Sequence, residues 1–191
     1  MASFVEISSN ALRLLGDDPI TSFGDDTERA RLVNAIYEEM RDEVTRAAVW
    51  NCCKARQVLA ALTETPAFGW AYYHQLPGDS LRVVDVLSGD TRIDHTIEGR
   101  RLMTDVSSVN LIYLKRVTDP NELDVLFISA LTARIAAELA LPVSGSNTVA
   151  TAMWTAYDKK VKEARTIDSQ EGTPANLDAQ SIMDARAGSV T

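Results

Sequence analysis

The side chains best suited to nucleophilic or metal chemistry are two adjacent cysteines, Cys52 and Cys53, and two histidines in separate predicted strands, His74 and His95. A disulfide between neighbouring cysteines closes a strained ring, so we expect two reduced, structural thiols. His74 alternates with aromatic residues, which favours a structural place on a sheet face. The four residues match no zinc spacing and no hydrolase triad motif, so the sequence predicts no catalytic set, no metal and no cofactor.

Acidic residues are the next candidates, because a glycosidase needs two carboxylates beside its substrate. Adjacent acids occur at Asp17-Asp18, Asp25-Asp26 and Glu38-Glu39. We expect the first two pairs in a turn and at a helix start, and the third on a solvated helix face. The aromatic run PAFGWAYYHQLPGDSLRV could wall a glycan site with Asp79 or Asp85 as the acid, so a glycan hydrolase stays open as an alternative.

Six basic residues fall in one region that alternates like β-strands: Arg82, Arg92, Arg100, Arg101, Lys115 and Arg116. Because successive side chains of a strand point to opposite faces, several should share the open face of a sheet. We take them as interface candidates, with an ordinary solvated face as an equal alternative. The net charge of −8 argues against tight binding to duplex DNA.

The elements that would position these residues follow from the apolar periodicity. It predicts helices over about residues 3–15, 26–50, 120–141 and 147–167. Ser3 should cap the first helix and Asp25 the second. Asp119 with Pro120 at the first helical position should begin the third, and Pro142 should end it.

Residues 66–117 alternate instead with the period of strands. One strand face should carry Phe68, Trp70, Tyr72, His74 and Leu76. A turn at Pro77-Gly78-Asp79 should lead into the next strand, and a hairpin should turn near Glu98-Gly99. The predicted fold is α+β and mainly helical: an antiparallel four-helix domain with a small antiparallel β-sheet inserted between the second and third helices, and an extended C-terminal tail.

The chain of 191 residues, 46% hydrophobic and 24% charged, has the composition of a soluble globular protein. We expect one domain over residues 1–168 and a flexible C-terminal arm over residues 169–191, where the sequence is polar and broken by Gly172 and Pro174. No membrane-spanning or secretory segment is evident, so we expect synthesis in the cytoplasm and no membrane contact.

Several sequence blocks follow one another in a distinctive order: NALRLLGDDPITSF, RLVNAIYEEMRDEV with Trp50 and KARQVLA, PAFGWAYYHQLPGDSLRV, EGRRLMTD and VTDPNELDVLFISALTARIAAELA. Together they cover most of residues 3–168, and none is a catalytic signature. In this order the chain resembles the tail tubular protein A, or head-to-tail adaptor, family of short-tailed bacteriophages. It departs from the family pattern at Asn51-Cys52-Cys53 after Trp50, where Trp-x-Phe-Ala is usual, and at Ser80, which is often cysteine.

The resemblance implies a structural virion protein, made in the host cytoplasm, that forms a ring of twelve copies at the head-tail junction. Such a ring binds the portal protein on one side and the tail nozzle protein on the other. Double-stranded DNA passes through the middle without sequence-specific binding, and an acidic surface suits that passage because it repels phosphate. The family resemblance implies no enzymatic activity.

By the same resemblance, residues 169–191 become a portal-binding arm, with Leu177, Ile182, Met183 and Arg186 as the candidate anchors. A segment that orders on docking loses entropy but can wrap a large surface. Two other functions stay open: a tail-associated glycan hydrolase built on the aromatic run, and an acidic DNA-associated regulator built on the helices.

Overall fold

The computed structural model describes residues 3–170. The helices are α1 (Phe4–Leu14), α2 (Glu28–Ala47), α3 (Val125–Ser144) and α4 (Asn147–Gln170). The strands are β1 (Lys54–Ala60), β2 (Tyr72–Gln75), β3 (Ser80–Ser88), β4 (Thr91–Arg92), β5 (Thr96–Glu98), β6 (Arg101–Thr104) and β7 (Ser108–Lys115). Two short 3-10 helices, Asn51–Cys53 and Pro120–Glu122, flank the strands.

The strands form two antiparallel sheets. The first has the order β1-β7-β3-β4, and the second has the order β2-β6-β5. In the first sheet, Val58 of β1 lies opposite Asn110 of β7, and Val86 of β3 lies opposite Leu111 on the other side of β7. The central strand β7 therefore ties the two ends of the β region together.

The predicted fold class is wrong. It placed one small antiparallel sheet inside a four-helix domain, whereas the described chain has seven strands in two sheets, with α1 and α2 before them and α3 and α4 after them. The prediction missed β1 because only Leu59 of that strand is buried, so its sequence lacks apolar alternation. It also joined β2 to β3 across the turn at residues 77–79, but β2 pairs with β6 in the other sheet.

The first two helix starts show one confirmed cap and one correction. The Ser3 hydroxyl accepts a hydrogen bond from the Glu6 amide, as predicted. At α2, however, Thr27 is the cap and Asp25 is not. The Asp25 carboxylate accepts hydrogen bonds from the preceding turn, including the Thr21 amide at 2.7 Å, and these bonds lower its pKa. Asp25 and Thr27 are both residue types that cap helices, so the sequence alone did not distinguish between them.

The third helix begins later and ends later than predicted. Asp119 caps the short helix Pro120–Glu122, and α3 starts at Val125, where the Asp124 carboxylate accepts from the Leu126 amide at 2.7 Å. Pro142 lies inside the helix, which continues to Ser144. A proline in the last turn removes only one backbone donor there, and the left-handed Gly145, with φ of 64°, ends the helix.

Two buried clusters hold the molecule together. The larger one joins all four helices, and at its centre the rings of Trp50 and Phe127 meet edge to face at 5.1 Å. The Trp50 indole donates to the Val44 carbonyl at 2.7 Å, which satisfies its buried N–H. The smaller cluster lies between the two sheets and contains Leu59, Leu76, Val86, Leu102, Val109, Leu111 and Tyr113.

Helix α3 is the central element of the helical cluster. Its length and hydropathy would suffice to cross a membrane, but 56% of its most apolar window is buried inside the protein. Core helices of globular proteins have the same character. The hydropathy of α3 therefore reflects its contacts with the other helices.

Candidate interaction surfaces

The six basic residues singled out in the sequence are all engaged by groups within the chain. Four form ion pairs: Arg92 with Asp85, Arg101 with Glu64 and Lys115 with Glu122 at 2.8 Å each, and Arg116 with Asp42 at 2.6 Å. Arg82 donates to the Arg46 carbonyl at 3.0 Å, and Arg100 donates to the Pro77 carbonyl. Each of these cations thus has its own partner within the chain, and the six are distributed over both sheets.

Part of this set joins the first sheet to α2. Arg116, directly after β7, donates from two nitrogens to one Asp42 oxygen, and this hydrogen bonding raises the pKa of Arg116. Beside it, the guanidinium of Arg46 reaches the Leu81 carbonyl, while Arg82 reaches back to α2. These reciprocal contacts fix how the β region sits on the helices.

The four portal-binding candidates Leu177, Ile182, Met183 and Arg186 lie outside the described residues, so their role stays a prediction. Helix α4 runs to Gln170, two residues past the predicted domain boundary at residue 168.

The aromatic run does not form one long strand face. Only Tyr72–Gln75 is a strand, and the Phe68 side chain before it is 88% exposed. Gly69 has φ of 85°, a left-handed conformation that interrupts an extended chain. His74 is fully buried, with Nε2 lying 2.9 Å from the Val106 carbonyl oxygen. The predicted face is therefore wrong for the residues before Tyr72.

The candidate acids of this region have structural partners. Asp79 accepts from the Tyr113 hydroxyl at 3.3 Å, and the pKa of Tyr113 is raised first by burial and then by this carboxylate. Asp85 pairs with Arg92 and also accepts from the amide of Val86 at 3.1 Å. Asp85 thus stabilises the strand in which it lies, and Asp79 stabilises the turn that precedes β3.

The two thiols lie in contact, with Sγ atoms 3.8 Å apart, and Cys53 is buried. A hydrogen bond with Cys52, followed by burial, raises the pKa of Cys53 well above its ordinary value. Because the thiolate is the reactive form, Cys53 has the environment of a packing residue.

An apolar groove lies between α1, α3 and α4 on the surface of the helical layer. Its volume is about 590 Å³. The apolar lining residues are Leu14, Val125, Ile128, Ala133, Met153 and Ala156, and the polar ones are Asn10, Arg13, Ser129, Thr132 and Lys160. Val125 is 76% exposed and Leu14 is 54% exposed, which is unusual for large aliphatic side chains.

The sequence forms this groove because α3 is apolar around more than one face. One face of α3 packs in the helical core through Phe127, Leu131 and Ile135. Val125 and Ile128 fall on another side, and α4 covers only part of it. Apolar periodicity predicts that one face of a helix is buried, and it does not indicate a second apolar face at these two residues. Their apolar character in an exposed first turn was the available signal.

A buried cation of α3 joins three helices. Arg134 of α3 donates to Glu43 of α2 at 2.7 and 3.0 Å, and to Glu138 at 2.7 Å. Its guanidinium also lies 4.5 Å from the centre of the Trp154 ring of α4. Burial alone would lower the pKa of Arg134, but the bonds to both glutamates raise it. Arg134 was not among the candidates from the sequence, although an arginine among alanines and an isoleucine indicates a buried ion pair.

Comparison with known proteins leaves the family of the chain open. No protein-family model matches it, and a search of curated proteins found no match either. The resemblance to head-to-tail adaptors therefore remains a prediction that rests on the order of the sequence blocks.

Proposed function

We propose that this protein is a head-to-tail adaptor of a short-tailed bacteriophage, a structural ring component between the portal and the tail nozzle. The observation that carries the proposal beyond the sequence blocks is the apolar groove of α1, α3 and α4. Exposed apolar surface that is rimmed by polar residues marks protein-protein contact sites. An assembly protein requires such a surface.

The groove suits the contact between neighbouring copies in a ring. A ring is built from head-to-tail contacts, in which one surface of a subunit meets a different surface of the next. Covering the exposed parts of Val125 and Leu14 would contribute about 1–2 kcal/mol each, because the two side chains are 76% and 54% exposed. Repeating a contact of this modest size around a closed ring gives a stable assembly.

The Arg134 contacts support the same function by stiffening the surface. A binding groove loses affinity if its walls must be ordered when the partner arrives. Arg134 links the helix that floors the groove to α2 and to α4, which forms one wall. The groove is thus preorganised for a partner.

Other parts of the chain would contact the other partners. Residues 169–191 would bind the portal through Leu177, Ile182, Met183 and Arg186. Among the four ion-paired basic candidates of the β region, Arg92 is the most available for a second contact, since 78% of its side chain is exposed despite its ion pair. A net charge of −8 favours a channel through which double-stranded DNA slides without being held.

Charge placed in the groove tests the proposal. Val125→Glu adds a carboxylate at the first residue of α3, where a negative charge favours the helix, so the fold should be kept. Val58→Glu is the matched control, because Val58 is 66% exposed on β1, away from the groove. We expect Val125→Glu, but not Val58→Glu, to abolish ring assembly on portal particles in co-sedimentation. Equal assembly of the two variants would contradict the proposal.

A further inference from the structure

A second cleft lies on another side of the helical layer, where the end of α2 and the start of β1 face the last turns of α4. Its volume is about 610 Å³. Lys54 lies on one wall and Lys162 and Arg165 lie on the other, and all three side chains are exposed. Among the described residues, its lining contains three cations and no carboxylate.

This arrangement is notable in a chain whose net charge is −8. Lys162 and Arg165 are three residues apart on α4, so their side chains lie on the same face of the helix. Ala164, between them in sequence, is buried, so it packs a different face of the same turn against the helical core. Lys54 donates to the Asn51 side chain at 2.6 Å, which directs its ammonium group. The positive charges are thus held around one cleft.

The floor of the cleft has a different character. It is formed by Ala48, Val49 and Trp50, the segment that follows α2. Ala48 and Trp50 are buried, and their backbone is extended. Val49 is half-buried and is the floor side chain that a ligand could cover, so a ligand that fits presents negative charge to the walls and an apolar group to the floor.

We propose that this cleft binds an acidic segment of a partner protein, in which carboxylates alternate with apolar side chains. Carboxylates would pair with Lys54, Lys162 and Arg165, while an apolar side chain would cover the floor. The volume is in the range of clefts that hold short or small ligands. A nucleic acid fits less well, because the three cations of the cleft can neutralise only a few phosphates, and phosphates gain nothing from contact with an apolar floor.

The binding can be measured directly with the full chain. The probe is a short fluorescein-labelled peptide of glutamate and leucine, followed by fluorescence anisotropy at low ionic strength. We expect saturable binding by the wild type, about fivefold weaker binding by Lys162→Glu, and a larger loss in the Lys162→Glu/Arg165→Glu double variant. The same peptide with glutamine in place of glutamate should bind poorly.

Arg31→Glu is the matched control, since it makes the same change of charge near the start of α2, at the opposite end of that helix from the cleft. It should weaken binding less than about twofold. Lack of binding by the wild type, an equal loss in the control, or tighter binding of duplex DNA or inorganic phosphate than of the peptide would overturn the proposal. The result is independent of the adaptor function, because ring assembly is read out on a different surface.

Discussion

The guanidinium of Arg134 contacts side chains from three helices, and its own side chain is only 8% exposed. Its two carboxylate partners are much more open, with 47% of the Glu43 side chain and 42% of the Glu138 side chain exposed. Water can therefore solvate the glutamates if the arginine is lost, but it cannot replace the contact with Trp154. The stabilising effect of this residue is thus shared between ion pairing and ring contact.

Arg134→Met should lower the free energy of unfolding by about 1–3 kcal/mol, because the chain keeps its volume but loses the links to α2 and α4. Urea unfolding followed by circular dichroism measures this change. Arg31→Met is the control, since Arg31 and Asp26 form a pair whose side chains are 65% and 98% exposed. It should change stability by less than about 0.5 kcal/mol. Equal effects would show that the Arg134 contacts contribute no more than a surface pair.

Cys53 should react slowly in the folded protein. Its raised pKa and its burial together leave little accessible thiolate. In Cys52→Ser, which removes the neighbouring thiol and leaves Cys53 as the single thiol, burial by itself should make iodoacetamide at pH 8 modify the native protein about 100-fold more slowly than the protein in urea. Similar rates in the two conditions would mean that the thiol is open to solvent.

At the scale of elements, the start of α3 decides whether the groove forms, because Val125 is its first residue. Asp124 caps α3 itself, whereas Asp119 caps only the short helix before it. Asp124→Ala should therefore cost about 1 kcal/mol of stability, and Asp119→Ala should cost less. Thermal unfolding of the two variants compares them. A larger effect at Asp119 would mean that Asp119 stabilises the start of the helix more than Asp124 does, as expected from the sequence.

The sequence predicted the helices better than the sheets, for identifiable reasons. Helix periodicity and the Ser3 cap are local signals, and both appear in the structure. Strand β1 has one buried residue, Leu59, so only its pairing with β7 defines it as a strand. The division into two sheets depends on β2 pairing with β6 across 25 or more residues, which alternation alone cannot specify.

The interaction surfaces were harder to predict than the elements. The basic residues of the β region were visible in the sequence, but their neutralising partners were not: Arg116, for example, pairs with Asp42 at a separation of 74 residues. Conversely, the groove arises only when α1, α3 and α4 pack together, and the Arg134 contacts arise only when α2, α3 and α4 do. Residue types therefore indicated which groups were available, and the tertiary structure determined which of them face a partner.

At the scale of the whole molecule, the helical cluster and the cluster between the two sheets give the protein two sides of different character. The apolar groove lies on the helical layer, and the ion-paired basic residues lie on the sheets. The ion pair between Asp42 and Arg116 links the helical layer to the sheets and helps to fix their relative orientation. Such a body can offer different surfaces to different neighbours, as an adaptor between two larger rings requires.

The most direct test of the proposed adaptor function is electron microscopy of the protein mixed with phage portal rings. We expect a second ring stacked on the portal, with twelve copies of this chain around an open channel. Within that ring, the groove lined by Val125 and Leu14 should be covered by the neighbouring copy. Portal rings without additional density, at concentrations where the protein is folded, would contradict the proposed function.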